Sequence, residues 1–259
     1  MGPRPSGAAV NGEPAPPVTI MVVPTYNEAG RFNPEPWLAH LDADPGCRFD
    51  FVDDGSTDST PALLEAMRAR HPERIRVSSL PVNGGKAAAV RAGMLRALDD
   101  TTRYAGFIDA DLSAPLAEIA TLRAELDAYP AAWAAFGSRV KLLGRQVERY
   151  AARHYLGRVF ATGASLALGL PVYDSQCGLK LFRATPEVRE AFATPFRSRW
   201  VFDVELLDRL ATAAGTSLHQ RIHEVPLRVW ADPGGSKLRL HDFLRVPFQL
   251  AMVRWRRSR

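Results

Sequence analysis

Two aspartates one residue apart, Asp109 and Asp111, follow a short apolar run at residues 104–108. In an extended backbone, side chains two residues apart point to the same side, so both carboxylates are expected to face one point in space. Oxygen ligands of this kind suit a hard divalent cation, which also binds the phosphates of a substrate. The other interpretation is a turn whose aspartates cap the next helix, and the pair alone leaves both open.

A second acidic pair, Asp53 and Asp54, follows another apolar run. The glycine after it permits a tight turn, and Ser56 or Asp58 can cap the helix that begins next. Two adjacent carboxylates are more than capping requires. They can also accept hydrogen bonds from the N–H groups of a nucleobase or from ribose hydroxyls.

Residues 83–86, Asn-Gly-Gly-Lys, open a predicted helix. Backbone N–H groups and Lys86 near a helix N-terminus can bind an anion. The chain does not match the phosphate-loop pattern Gly-x-x-x-x-Gly-Lys-Ser/Thr, and no Gly-x-Gly-x-x-Gly follows the first strand. A dinucleotide-dependent dehydrogenase is therefore not expected.

Apolar runs that end in polar loops alternate with helical patterns along the first half of the chain. Predicted strands cover residues 18–23, 48–52, 74–78 and 106–108, and predicted helices cover residues 35–41, 59–70 and 86–98. Units of about 25–35 residues are typical of an α/β fold with a doubly wound, mainly parallel sheet and helices on both faces. Such sheets bind ligands beyond the carboxyl ends of their strands, where the polar motifs fall.

The second half of the chain is less regular. Predicted helices cover residues 115–129, 146–168 and 201–214, and extended segments cover residues 131–140, 175–183 and 218–230. Pro247 divides residues 236–257 into two predicted short helices, because proline interrupts a helix.

The 259 residues, 46% of them hydrophobic, suit one large α/β domain or two small ones. We expect a disordered leader over residues 1–17, a folded domain over residues 18–235 and a separate tail over residues 236–259. No run of about 18 apolar residues predicts a membrane span, and the N-terminus lacks the apolar core of a signal peptide. Cys47 and Cys177 form neither a disulfide framework nor a metal-site spacing, so a cytoplasmic setting is expected.

The net charge of +5 is concentrated in the tail. Residues 236–259 hold seven basic residues and one acidic residue, a charge of +6, so the rest of the chain sums to −1. Basicity confined to one segment argues against a nucleic-acid-binding protein. Residues 240–255 mix apolar and basic residues, which is typical of a helix lying on an anionic membrane surface. A C-terminal helix packed on the core, with a basic exposed end, explains the pattern equally well.

Together, the motifs resemble those of the family 2 glycosyltransferases. The matching segments are residues 23–28 (VPTYNE), 52–58 (VDDGSTD), 83–86 (NGGK) and 108–111 (IDAD). Residues 137–139, 174–183 and 199–207 look like the polyprenyl-phosphate branch, most of all its dolichyl-phosphate β-glucosyltransferases and next its dolichyl-phosphate mannosyltransferases. The resemblance covers nearly all of residues 18–235 and implies a GT-A fold, which is Rossmann-like.

This resemblance implies a nucleotide-sugar pocket and a divalent cation. The residues that would line the pocket are Pro24, Tyr26, Glu28, Asp53, Asp54, Lys86 and Asp109. Asp111, together with Asp109, would bind Mg²⁺ or Mn²⁺, which would neutralise the diphosphate leaving group as a Lewis acid. Family members often carry Gln at the position of Ser113, so water could replace a third protein ligand here.

A phosphate acceptor supplies its own anionic nucleophile and needs charge neutralisation more than a general base. Arg145, Arg149 and Arg153 recur at i, i+4 and i+8, on one face of a predicted helix. With Arg139 they could clamp a phosphate, because guanidinium matches phosphate oxygens bidentately. A solvated basic face is the alternative; we favour the clamp, with Arg139 first and Arg149 second.

Two further segments complete the expected site. Asp203 and Glu205 point about 200° apart on a helix, so one of them is expected to enter the site, and we choose Asp203. In the family, an acidic residue at that position lies close to the acceptor or the sugar, and Gln176 falls where the family closes over the acceptor. The predicted catalytic residues are Asp109, Asp111, Arg139 and Asp203.

The predicted reaction is a metal-dependent, inverting transfer of a hexose from a nucleotide sugar to a polyprenyl or dolichyl phosphate, with glucose and UDP-glucose favoured. GDP-mannose as donor, a soluble acceptor, and a catalytically silent nucleotide-sugar-binding protein stay open. A lipid acceptor would bring the chain to the cytoplasmic face of a membrane as a peripheral protein, through its tail. The sequence does not predict the oligomeric state.

Overall fold

Strands and helices alternate along the chain, as the apolar runs predict. The structure, a computed structural model, describes residues 19–98, 102–148, 165, 169–199 and 201–231. The first elements are β1 (Thr19–Thr25), α1 (Glu35–Ala43), β2 (Cys47–Asp53), α2 (Thr60–Arg70), β3 (Ile75–Ser79), α3 (Lys86–Ala97) and β4 (Tyr104–Phe107). The later ones are α4 (Glu118–Ala128), β5 (Ala134–Ser138), β6 (Gln146–Glu148), β7 (Lys180–Arg183), α5 (Pro186–Ala193), α6 (Phe202–Ala214), α7 (Leu218–Arg221), β8 (Ile222–Pro226) and β9 (Val229–Ala231).

Seven of these strands form one sheet in the order β3-β2-β1-β4-β7-β5-β8. The first four in that order are parallel to one another, whereas β7 is antiparallel to both of its neighbours. β6 and β9 pair separately as a short parallel ribbon, the β6–β9 ribbon. The predicted doubly wound, mainly parallel sheet is confirmed. Because β1, β2 and β4 run the same way, the loops that leave them meet at one edge of the sheet, which we call the site edge.

The sheet is buried on both faces. In β1, Ile20 and Val22 belong to one apolar cluster and Met21 and Val23 to another, as the alternation of side chains along a strand requires. Trp37 of α1 is fully buried and packs edge-on against β2. Since each large apolar side chain stabilises the fold by about 1.5–3 kcal/mol when buried, two continuous clusters hold the site edge firmly.

Two predicted elements of the second half differ from the structure in the residues that it describes. The predicted helix over residues 146–168 begins as the strand β6, because its backbone groups find partners in β9. Arg145 therefore lies in a loop before a strand, and the helical face proposed for it with Arg149 and Arg153 does not begin there. Arg149 and Arg153 themselves lie outside the described residues. The pattern over residues 218–230 divides into α7, β8 and β9, since pairing with β5 starts only at Ile222.

The predicted leader, residues 1–17, and the predicted tail, residues 236–259, lie outside the described residues. Both boundaries therefore stay predictions. Within the part of the chain that the structure describes, no helix is both long and apolar enough to cross a bilayer.

Candidate active site

Lys86 and Asp109 form an ion pair at the site edge, with 2.5 Å between Nζ and Oδ1. Lys86 opens α3 and Asp109 follows β4, so two loops that are distant in sequence meet here. Burial opposes the charge on Lys86, but the carboxylates of Asp109 and Asp203 outweigh it and raise the pKa of Lys86. The amino group therefore stays charged at neutral pH in a position suited to an anionic ligand.

Asp111 lies in a turn rather than in an extended segment. β4 ends at Phe107, and Leu112 has a left-handed backbone with φ 51°, so the extended geometry expected for the two aspartates is wrong. The backbone N–H and the hydroxyl of Ser113 donate to Oδ1 of Asp111, at 3.0 and 2.8 Å. The turn caps no helix directly, because α4 begins only at Glu118.

The acidic pair nevertheless fits a divalent cation. Both carboxylates are partly exposed at the site edge, and both act electrostatically on one side chain, Arg31. Mg²⁺ is typically held by one or two carboxylates, with substrate phosphates and water completing its octahedron. Ser113 is committed to Asp111, so the remaining ligands are expected from phosphate and water.

Arg31 completes the charge pattern, although the sequence analysis did not select it. Its guanidinium donates to both carboxylate oxygens of Glu28, with 2.7 Å between Nη2 and Oε1. This hydrogen bond raises the pKa of Arg31, and the negative charges of Asp111 and Asp109 add to the effect. Glu28, predicted to line the nucleotide pocket, thus holds a cation that faces the acidic pair.

The second acidic pair binds backbone N–H groups, Asp54 in the loop before α3 and Asp53 in its own loop. The two oxygens of Asp54 accept hydrogen bonds from the N–H groups of Gly84 and Gly85, each at 2.7 Å. Asp53 accepts from the N–H of Ser56, at 3.2 and 3.3 Å to its two oxygens. The glycine N–H groups expected to bind an anion are therefore already occupied by Asp54. Direct contact of either aspartate with a nucleoside stays a prediction.

Two other predicted pocket residues lie at or just after the end of β1, and Arg199, which was not predicted, reaches the loop of Asn83 from a distant segment. Pro24 is half-buried near the end of β1, and Tyr26 just beyond it is 36% exposed. Arg199 donates from Nη2 to the backbone oxygen of Asn83 at 3.0 Å and also contacts its Oδ1. Since 116 residues separate these partners, no local pattern could have indicated the contact.

The two acidic residues of α6 engage different partners, as the helical geometry predicts. Asp203 accepts a hydrogen bond from the fully buried Lys180 at 2.6 Å. Lys180 also donates to the backbone oxygen of Cys177 at 2.6 Å, which makes its role structural. Glu205 binds the side chain of Arg209 instead, at 2.8 Å. Asp203 is the acid whose charge reaches Lys86 and the site.

Arg139, our first choice for an acceptor phosphate, is bound by Asp174. Nε and Nη2 of the guanidinium donate to the two carboxylate oxygens at 2.6 and 2.7 Å, and the ring centre of Trp230 lies 5.4 Å away. Burial opposes the charge on Arg139, but Asp174 outweighs it and raises the pKa of Arg139. One edge of the guanidinium is thus occupied, and Arg139 is a fixed cation rather than a mobile clamp.

Three polar groups beside this pair are buried without a hydrogen-bond partner among the described residues. They are Oγ of Ser138, Oγ of Ser175 and Nε2 of the predicted acceptor residue Gln176. Ser138 directly precedes Arg139 in the chain, and Ser175 and Gln176 directly follow Asp174. Because buried polar groups are normally satisfied, the three are suited to a polar ligand.

The β6–β9 ribbon connects this cationic side to the acidic side. The N–H of Ala231 in β9 donates to the backbone oxygen of Ser113 at 3.0 Å. Glu118 accepts hydrogen bonds from the N–H groups of Arg228 and Val229 at 2.7 and 2.9 Å, which ties β9 to the start of α4. Asp111 follows β4 and Arg139 follows β5, and both strands are antiparallel to β7, so the two residues lie at the same edge of the sheet.

A separate trio, His40, Asp44 and Cys47, brings three potential metal-ligand atoms within 4.8 Å of one another. It is the one such group in the described parts of the chain. Burial raises the pKa of the Cys47 thiol to about 12, and Asp44 already binds Arg123 at 2.6 Å. A protonated thiol is a poor metal ligand, so we assign no metal to this trio.

The chain is similar in sequence to known glycosyltransferases. Residues 20–187 match the sequence profile of Glycosyl transferase family 2. A dolichyl-phosphate beta-glucosyltransferase of Trichomonas vaginalis is 30% identical over 247 residues, covering 91% of this chain and 70% of the relative. A dolichyl-phosphate beta-glucosyltransferase of Drosophila melanogaster is 32% identical over 235 residues, covering 84% and 68%.

The fold is also similar to that of a solved structure, glucosyl-3-phosphoglycerate synthase from Mycobacterium tuberculosis in complex with Mn²⁺, UDP-glucose and phosphoglyceric acid. The TM-score is 0.63 at 20% sequence identity, and the match covers 98% of this chain and 85% of that one. At this identity the similarity concerns the fold alone.

Proposed function

The chain belongs to glycosyl transferase family 2 and has its GT-A fold, and from that premise we propose the reaction it catalyses. It transfers a hexose, with glucose from UDP-glucose favoured, to the phosphate of a polyprenyl or dolichyl lipid. The anomeric configuration is inverted.

The observation that carries this proposal is the convergence of charges at the site edge. Asp109 and Asp111 stand beside two cations, Lys86 and Arg31, which are suited to the diphosphate of a nucleotide sugar. We assign to the nucleotide five residues at the ends of β1 and β2 or in the loops that follow these strands: Pro24, Tyr26, Glu28, Asp53 and Asp54. Arg199 extends the positive charge along the loop of Asn83.

The acceptor side is supported by Arg139 and the polar groups near it. An oxygen of the lipid phosphate forms a bond to the anomeric carbon, while the bond from that carbon to the donor diphosphate breaks and the diphosphate keeps the electron pair. The phosphate is already anionic, so no proton has to be removed. Arg139 and Gln176 would orient it, and we assign Arg145, Arg149 and Arg153 to its approach.

A divalent cation, Mg²⁺ or Mn²⁺, would be held by Asp109 and Asp111 and would supply charge neutralisation at the leaving diphosphate. The residues of the chain have the complementary tasks. Lys86 and Arg31 keep the acidic pair and the diphosphate in place, and Asp203 fixes Lys180 beneath the site. The lipid acceptor would draw the chain to a membrane as a peripheral protein, with the basic tail over residues 236–259 as one contact.

Turnover with defined substrates tests the proposal. Purified protein is incubated with UDP-glucose or GDP-mannose, a short polyprenyl phosphate and Mn²⁺, and glycolipid is measured by mass spectrometry. We expect product with UDP-glucose that disappears with a chelator. Asp111→Asn is expected to lower turnover by at least about 100-fold, whereas Asp42→Asn, at a 71% exposed side chain, is the matched control.

Variations of this experiment distinguish the alternative functions. Product with GDP-mannose alone would identify a mannosyltransferase, and product with a soluble phosphorylated acceptor alone would exclude the lipid assignment. Calorimetric binding of a nucleotide sugar without any turnover would instead identify a catalytically silent binding protein.

A further inference from the structure

The loop between β5 and β6 exposes two adjacent leucines. Leu142 is 49% exposed and Leu143 is 105% exposed, the highest value among the large hydrophobic side chains in the described residues. Gly144 has φ 78°, and the N–H of Arg145 donates to the backbone oxygen of Leu142 at 3.1 Å, so the chain turns tightly and directs the leucines outward. We call residues 141–145 the Leu-Leu tip.

The exposed leucines lie between positively charged residues. Lys141 and Arg145 flank the leucines, and the tip holds no acidic residue. Apolar side chains between cations are the arrangement by which peripheral proteins bind anionic bilayers, since the leucines enter the acyl boundary and the cations meet lipid phosphates. An exposed apolar patch rimmed by polar residues commonly marks a site of interaction with a protein or a membrane.

The position of the tip relates it to the site. It begins two residues after Arg139 and leads into β6, whose partner β9 donates a hydrogen bond to Ser113. A surface that binds the tip would therefore lie beside both the cationic and the acidic side of the site edge.

We propose that the Leu-Leu tip inserts into an anionic lipid bilayer and brings the site edge to a membrane-embedded acceptor. The inference rests on the proposed function for the acceptor, but the membrane contact itself is independent of turnover. Two leucines are too small a surface for a stable protein interface, which buries about 1,000 Å² or more. In a symmetric contact between two copies, the tips would meet each other, so Lys141 and Arg145 of one copy would be repelled by the same two cations of the other.

Vesicle co-sedimentation of the full chain tests the contact. The variants are the double substitution Leu142→Ser and Leu143→Ser, and the control Tyr129→Ser, which removes a 52% exposed side chain from the end of α4. With phosphatidylcholine vesicles containing about one third phosphatidylglycerol, we expect the double variant to bind about tenfold more weakly and the control to bind normally. Unchanged binding of the double variant would overturn the proposal.

Two further measurements distinguish a membrane contact of the tip from a catalytic defect and from a contact between proteins. Turnover with a dissolved short-chain acceptor is expected to be equal in wild type and double variant, while turnover with a vesicle-embedded acceptor falls in the variant. If wild type forms no glycolipid from any acceptor, the proposed function fails while vesicle binding still decides the role of the tip. Lipid-free dimerisation that the double substitution abolishes, seen by sedimentation velocity, would identify the tip as a protein contact and overturn the membrane assignment.

Discussion

Asp109 and Gly178 are in such close contact that a Cβ on residue 178 would lie 2.1 Å from Oδ2 of Asp109 and 2.4 Å from its Cγ. Asp109 is the carboxylate that also binds Lys86. The glycine thereby allows the acidic loop to approach the segment that leads into β7.

Gly178→Ala is therefore expected to displace the Asp109 carboxylate. A shift of about 1 Å at a reacting centre commonly lowers turnover by about 100-fold, and we expect a loss of that size in the steady-state rate. Gly30→Ala is the control, because a Cβ there meets nothing within 4 Å. Full activity of Gly178→Ala would show that the position of Asp109 is unimportant.

Substitution of Asp54 is expected to weaken donor binding. Asp54→Ala leaves the N–H groups of Gly84 and Gly85 without their acceptor, at a cost of about 1–3 kcal/mol each where they stay buried. The loop that carries Lys86 would then shift, so we expect the Kd for UDP-glucose, measured by calorimetry, to rise about tenfold or more. Asp54→Asn keeps one acceptor oxygen, so its Kd is expected to lie between those of wild type and Asp54→Ala. Equal affinities for all three proteins would contradict the contact.

The Arg139–Asp174 pair is expected to be structural as well as functional. The side chains are 16% and 8% exposed, so Asp174→Ala would leave a nearly buried cation unpaired, which costs about 3–5 kcal/mol of unfolding free energy. Removing both charges with Arg139→Met and Asp174→Leu is expected to restore most of this stability, measured by urea unfolding. The double variant is still expected to lack turnover, because the acceptor phosphate has lost its cation. Turnover that recovers together with stability would limit Arg139 to packing.

The two buried thiols provide a test by pH. Burial raises the pKa of Cys47 from 9.0 to about 12 and that of Cys177 from 9.0 to about 11. In the unfolded chain both ionise near their ordinary value, so the folded state keeps more protons above that pH. The unfolding free energy is then expected to be unaffected by the thiols below about pH 9 and to fall above it by about 1.4 kcal/mol per pH unit and thiol. Urea titrations of wild type and Cys47→Ser across this range measure the slope, which the substitution is expected to reduce; native alkylation at neutral pH would contradict the burial.

Much of the fold and of the charge arrangement around Lys86 and Asp109 could be predicted from the sequence, because both depend on local patterns. Apolar runs specified the strands, and the polar motifs after them had to meet where parallel strands end. The position of Lys86 beside Asp109 follows from that rule. Arg31 could have been selected too, since Glu and Arg three residues apart in one loop can pair.

The contacts of Arg139 and Arg199 were less predictable because they join segments far apart in the chain. Asp174 lies 35 residues from Arg139, and Asn83 lies 116 residues from Arg199. The segment after Arg145 was predicted wrongly for a different reason. The periodic spacing of basic residues suggested a helix, but residues 146–148 form a strand because they pair with β9. Tertiary pairing outweighed local periodicity there.

The hydrogen bonds of Asp53 and Asp54 have a consequence for the energetics of binding. Through them, and through the bond from the N–H of Asp54 to the backbone oxygen of Thr25 at 2.8 Å, three loops are fixed to one another before any ligand arrives. Ordering a backbone costs about 1–2 kcal/mol per residue in conformational entropy. Here that entropy is lost when the chain folds, so the proposed nucleotide sugar would meet a preorganised surface and its binding free energy would not be spent on ordering these loops.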